Sequence, residues 1–244
     1  MMNYHNMLNI KVISRLQMVL IAALVAVSST AFGQFNVKVG YSLGFVSPEI
    51  NNAILADYNA VQSTFYDDYK PAADIKLTYG ISLGARYKFG IGSIELNWEN
   101  LSRSTTSIGF VNPVPPATAS SASEEFRYKL NMLMLTYESS SLKAIGVGSS
   151  IGRNRISIER DAGNEPAPQF GEGDNRNQYF ARFHLAFNFY GSSTVAFAIK
   201  PYVQLPLTDI DLLPFATRIG ATNDRYDESF PMFGLTFAFY NGRQ

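Results

Sequence analysis

Eight stretches of this chain alternate apolar and polar residues with period two, and beyond the first 33 residues no apolar run is long enough to cross a bilayer as a helix. Period two is the geometry of a strand with two unlike faces. If such strands enter a membrane, they must close on themselves, because lipid offers no partner to an unpaired backbone group.

The first stretch, Phe35 to Val46, sets Phe35, Val37, Val39, Tyr41, Leu43 and Phe45 against Asn36, Lys38, Gly40, Ser42 and Gly44. Lys76 to Phe89 repeats it, with Leu77, Tyr79, Ile81, Leu83, Ala85, Tyr87 and Phe89 against Thr78, Gly80, Ser82, Gly84, Arg86 and Lys88. Ser93 to Ser102, Lys143 to Arg155, Gln178 to Tyr190, Thr194 to Leu205 and Phe230 to Tyr240 follow the same rule. The fourth stretch, Glu125 to Glu138, sets Tyr128, Leu130, Met132 and Met134 against Arg127, Lys129 and Asn131. Its second half carries Leu133, Leu135 and Tyr137 on the polar parity, which reads as interior filling or as a bulge that shifts the register.

Connections alternate between short and long. Gly90 to Gly92, Ser139 to Leu142 and Gly191 to Ser193 are tight turns. Ser47 to Ile75, Arg103 to Glu124, Ile156 to Asn177 and Pro206 to Ser229 are long and rich in Pro, Gly, Asn, Asp and Ser. Short turns at one end and long loops at the other are the pattern of an outer-membrane barrel.

A soluble lipocalin-like carrier would share the alternation, so residue size decides which face points inward. Gly40, Gly44, Gly80, Gly84, Gly146, Gly148, Gly152 and Gly234 share a face with the charged residues, and the other face is Phe, Tyr, Leu, Ile and Val. Eight strands enclose a lumen that side chains just fill, so the small and polar face is the inner one. Phe35, Tyr87, Phe89, Phe187, Phe189, Phe237 and Phe239 gather on the apolar face near the short turns, as an aromatic girdle does at a membrane interface. The chain therefore reads as all-β: an eight-stranded antiparallel up-and-down transmembrane β-barrel.

Residues 1–33 read as a cleaved signal peptide, with Lys11 and Arg15 before a short apolar run and Ala31-Phe32-Gly33 at the cleavage positions, which leaves the barrel at 34–244. The absence of cysteine excludes disulfides and a lipidated N-terminus. Balanced charge argues against nucleic acid as a partner.

With these phases, Lys38, Arg86, Lys88, Glu95, Glu99, Arg127, Lys129, Arg182, His184 and Lys200 project into the lumen. Charges taken out of water need partners, so the expected arrangement is an ion-pair plug, with a narrow ion path or anion site as the alternative. Glu95 and Glu99 share a face about 13 Å apart by strand rise, too far to act as one acid–base pair. One histidine, His184, lies within the strands, so no multi-histidine metal site is expected, and no cofactor is. A lipid-modifying enzyme built on His184 is disfavoured by its mid-strand lumen position; the chain reads as non-enzymatic. Arg153, Arg155 and Arg160 rise toward an outer loop and are candidates to meet lipopolysaccharide phosphates. The aromatic and acidic first loop, Tyr58, Phe65, Tyr66, Asp67, Asp68 and Tyr69, is a candidate protein-binding surface, with packing on the barrel rim as the equal alternative.

From Phe35 to Tyr240 the pattern resembles the small outer-membrane barrels of the OmpA-transmembrane-domain and OmpX type, and the outer-membrane β-barrel domain proteins common in Bacteroidetes. The likeness rests on the strand and loop pattern, the Gly33-Gln34 start and the aromatic last strand Phe233-Gly234-Leu235-Thr236-Phe237-Ala238-Phe239. It implies residence in the bacterial outer membrane and insertion by the barrel-assembly machinery. The expected partners are outer-membrane lipids, lipopolysaccharide at the loop arginines and protein subunits of a membrane complex. Asn241-Gly242-Arg243-Gln244 continue past the last aromatic, where many members stop on it.

Overall fold

The computed structural model describes residues 35–89, 92–111, 120–139, 144–161, 176–190 and 195–241. The expected signal segment 1–33 and most of each tight turn lie outside the described residues.

The strands are β1 (Phe35–Val46), β2 (Asp68–Lys70), β3 (Leu77–Phe89), β4 (Gly92–Val111), β5 (Ser120–Ser139), β6 (Ile145–Asp161), β7 (Arg176–Tyr190), β8 (Val195–Pro206), β9 (Ile210–Asp211), β10 (Asp227–Glu228) and β11 (Met232–Asn241). Eight of them pair in the antiparallel ring β1-β3-β4-β5-β6-β7-β8-β11, and β11 closes it on β1 from Lys38↔Tyr240 to Val46↔Met232. Closure leaves no edge, the condition for placing a sheet in hydrocarbon. The expected fold class is the fold.

The apolar faces point outward. Val147 and Ile151 are 59% and 62% exposed, and Leu83, Leu96, Leu135, Phe183 and Phe239 are likewise exposed. At the short-turn end Phe197 packs against Phe189, Phe237 and Phe239, and Phe89 stacks on Tyr137. Pro201 interrupts the β7–β8 ladder between His184↔Tyr202 and Phe187↔Ile199, because it has no N–H to give.

Two features depart from expectation. β4 and β5 pair without a break from Gly92↔Ser139 to Val111↔Ser120, so segments expected as loop are strand. Twenty residues at about 3.4 Å each, tilted about 40°, rise roughly 50 Å, about twice the ~25 Å apolar band of such barrels. The hairpin therefore stands well clear of the band, and β2 pairs onto its edge at Ile108–Phe110.

The second departure is the phase of β5. Phe126, Tyr128, Leu130, Met132 and Met134 are buried inside the barrel, and Leu133, Leu135 and Tyr137 face outward. The register contains no bulge. Arg127 and Lys129, expected in the lumen, thus lie on the outer surface, Arg127 exposed and Lys129 half-buried. The reason is that an apolar cluster occupies much of the outer half of the lumen, so an apolar face there does not mean lipid.

What fills that half is the two described long loops. Helix α1 (Glu49–Gln62) presents Ile50, Ile54, Leu55 and Tyr58 along one face, and Ile54, Leu55 and Tyr58 are almost fully buried. Helix α2 (Leu213–Ile219) carries Pro214 in its first turn and stops at Gly220, whose φ of 70° is the left-handed cap that glycine adopts without strain. Its Phe215, Ala216 and Ile219 join the same core, with Phe215 edge-on to Phe126 and Tyr58 edge-on to Phe126. Burying each large side chain contributes about 1.5–3 kcal/mol, which holds the two helices in the mouth as a stopper of described residues.

Candidate functional site

The inner half of the lumen is a charge cluster. Lys38 Nζ donates to Glu95 Oε1 at 3.0 Å and to Asn97 Oδ1 at 2.6 Å, and Arg86 Nε donates to Glu95 Oε2 at 2.9 Å. Glu138 Oε2 accepts from Lys200 at 2.6 Å and from Arg86 at 3.3 Å, and lies 3.1 Å from His184 Nε2. Arg182 donates to Glu99 at 2.8 Å and grips Gln204 Oε1 through two nitrogens. Rings cover the cations: Arg86 lies 3.8 Å from the Tyr240 centroid and Arg182 lies 4.1 Å from that of Tyr202.

Of the residues expected in the lumen, Lys38, Arg86, Glu95, Glu99, Arg182, His184 and Lys200 converge here, all buried, and Lys88 is half-buried on the same strand face as Arg86. Glu95 and Glu99 have separate partners, Glu95 with Lys38 and Arg86 and Glu99 with Arg182, Ser42 and Ser82. His184 faces Glu138 in this network. Glycine makes the room: a Cβ on Gly148 would sit 2.2 Å from the His184 ring, and one on Gly234 would sit 2.7 Å from the Tyr202 hydroxyl. Glu138 and Tyr240 are the hub residues that the sequence reading missed. The phase of Leu133, Leu135 and Tyr137 already pointed to Glu138.

A second set of charges lies outside. Arg153 and Arg155 are exposed on the outward face of β6, beside Leu133 and Asn131 of β5 and Tyr179 and Asn177 of β7. Nearby, Arg127 pairs with Glu125 and Lys129 with Glu159. Arg160 does not join them. It makes two 2.6 Å bonds to Glu124, which also accepts from the Tyr58 hydroxyl at 2.6 Å, and so ties the hairpin to α1. Tyr58 therefore belongs to the stopper. Tyr69 donates to Asn59 of α1 and stacks against Tyr66, whereas Phe65 remains exposed.

One ionisable group contributes to the docking of α1. Glu228, 3% exposed, accepts the Asn51 N–H at 2.8 Å in the first turn of the helix. Burial pushes its pKa up to about 7, against backbone N–H bonds from Asn51, Ile50 and Ser229 that favour the charged form; Glu49 nearby adds to the rise. The docked state therefore holds a proton that an undocked chain releases near 4.5. Docking is strongest below that pH and weakens as pH rises through about 7. Glu228→Gln keeps the acceptor without the titration. Amide exchange of Asn51 is expected to rise between pH 5 and pH 8 in the wild type beyond its intrinsic pH dependence, and to show no such excess in the variant.

No family model matches the sequence, and no curated protein matches it. Similar solved structures include Neisserial surface protein A (9% identity, TM-score 0.42, covering 86% of this chain and 97% of that one). OprG from Pseudomonas aeruginosa aligns at 13% identity and TM-score 0.42, covering 87% and 97%. Ail of Yersinia pestis aligns at 13% identity and TM-score 0.38, covering 85% and 99%.

Proposed function

We propose that the protein is an integral, non-enzymatic outer-membrane barrel whose closed wall anchors the projecting β4–β5 hairpin and outer loops for structural, adhesive or complex-subunit work. The observation that supports this reading is an apolar outer wall around a lumen in which, among the described residues, an apolar cluster lies at one end and a buried ion network at the other. A wall of that kind has hydrocarbon as its solvent, and side chains packed in a lumen of eight strands leave little room for solute. The barrel is inserted by the assembly machinery after removal of the signal segment. Fractionation with the outer membrane, a heat-modifiable band on gels and background conductance in planar bilayers are the expected results. A freely soluble periplasmic protein would sink the proposal, and steady single-channel currents would replace it with the pore reading. Altered lipid A or phospholipid in a deletion strain, restored by wild type but not by His184→Ala, would replace it with the lipid-modifying enzyme.

Arg153 and Arg155, exposed just beyond the outward Ile151, are assigned to phosphate groups of lipopolysaccharide in the outer leaflet. The double variant Arg153→Glu, Arg155→Glu is expected to lose the thermal stabilisation that added lipopolysaccharide confers on the detergent-solubilised wild type. Equal stabilisation of both proteins would remove the assignment. Phe65, 68% exposed, and Phe110, 45% exposed, offer an apolar contact for a protein subunit on the hairpin side.

A further inference from the structure

Below the stopper, charge does not balance. Among the described residues the inner lumen buries four fixed cations, Lys38, Arg86, Arg182 and Lys200, and three carboxylates, Glu95, Glu99 and Glu138, none more than 5% exposed. The carboxylates are shared rather than matched: Glu138 Oε2 alone meets Lys200, Arg86 and His184. An excess positive charge held out of water costs several kcal/mol unless something neutralises it.

The same region holds a cavity of about 20 Å³. Three of the four cations, Lys38, Arg182 and Lys200, line it, together with the hydroxyls of Thr136, Ser150 and Thr236; Glu95 and Glu99 supply the opposing charge. The lining thus carries one net positive charge and several O–H and N–H donors, the chemistry that holds an anion. A space of this size accepts one particle about as large as water or slightly larger, which admits a monatomic halide and excludes sulfate, phosphate and carboxylates. Thr136 and Ser150 hydroxyls lie 2.8 Å apart, and Thr136 also accepts from Asn97 Nδ2, so Thr136 can donate to Ser150 while Ser150 turns its own proton toward a bound ion.

We propose that the lumen contains a buried halide site, occupied by chloride, between Lys38, Lys200 and Arg182, and that the ion is the missing counter-charge of the network. It is a structural ion rather than cargo, held among the described residues between the stopper above and the ion pairs around it.

The test uses the full barrel chain extracted from membranes in detergent and equilibrated, after unfolding and refolding, in sodium chloride, bromide or gluconate at matched ionic strength. Thermal unfolding is expected at least about 5 °C lower in gluconate than in either halide. Ser150→Asp supplies an internal carboxylate at the cavity wall, and its unfolding temperature is expected to be the same in all three salts. Arg153→Gln, Arg155→Gln removes the exposed arginines and is expected to keep the full halide effect. Equal wild-type temperatures in the three salts overturn the proposal, as does an effect that disappears in the outer-arginine variant. Bromide located by anomalous scattering in wild-type crystals needs no variant to fold: a peak among Lys38, Lys200 and Arg182 is expected, and water alone at that position overturns the site.

Discussion

Glu138→Ala is expected to destabilise the barrel by about 3–5 kcal/mol, the usual cost of removing one member of a buried ion network and leaving its partners unpaired. Three groups lose their acceptor at once: Lys200 at 2.6 Å, His184 at 3.1 Å and Arg86 at 3.3 Å. Arg86 keeps Glu95 and the Tyr240 ring, but Lys200 is left with Glu95 at 3.9 Å. The control is Arg127→Ala, which breaks the exposed pair with Glu125 on the outer wall and should cost under about 1 kcal/mol. Trp98, the one tryptophan, sits on the outward face of β4 and reports unfolding in urea by its fluorescence. A loss below about 1 kcal/mol for Glu138→Ala would mean that water, not protein, solvates the cations. The variant also raises the excess positive charge, so its stability should depend on chloride more steeply than that of the wild type.

The wall of this barrel was legible because lipid and lumen impose opposite demands on neighbouring residues. β1 runs from Phe35 to Val46 as its alternation indicates, and the Gly face of β6 points inward because a ring such as His184 must lie against Gly148. Legibility failed where the two environments stop differing. Tyr128 and Leu130 face an apolar stopper and Met132 and Met134 lie beside the charge cluster, Met132 Sδ accepting from Arg182, so their apolar side of β5 looked like a lipid face, and Arg127 and Lys129 were assigned to the wrong side of the wall. The stopper was hidden for a related reason. α1 spans fourteen residues in a stretch marked as loop by its flanking Pro, Asn and Asp, and its Ile50, Ile54, Leu55 and Tyr58 stripe has meaning only once a concave apolar mouth exists to receive it. Tyr240 shows the same limit at the other end, since its place above Arg86 depends on how far the ring shears as it closes.

Ile54→Asp is expected to eject α1 from the mouth without opening the barrel. Ile54 is completely buried in the stopper core, and an unpaired carboxylate there costs several kcal/mol, more than the local contacts of one helix can hold. The ring has its own hydrogen-bond ladder, closed between β1 and β11, and does not need α1 to persist. The gel band should therefore remain heat-modifiable, while protease added from the outside newly cleaves within residues 47–76. Conductance is expected to stay at background, because the ion network lies beneath the stopper and shares none of its side chains with α1. Only the combination of Ile54→Asp with Glu138→Ala should admit ions, since it removes the outer seal and loosens the inner one together. Current through the single variant would show that the stopper alone closes the lumen. The charged layer would then be lining rather than seal, and its four cations and three carboxylates would be solvated by a water column instead of by one another.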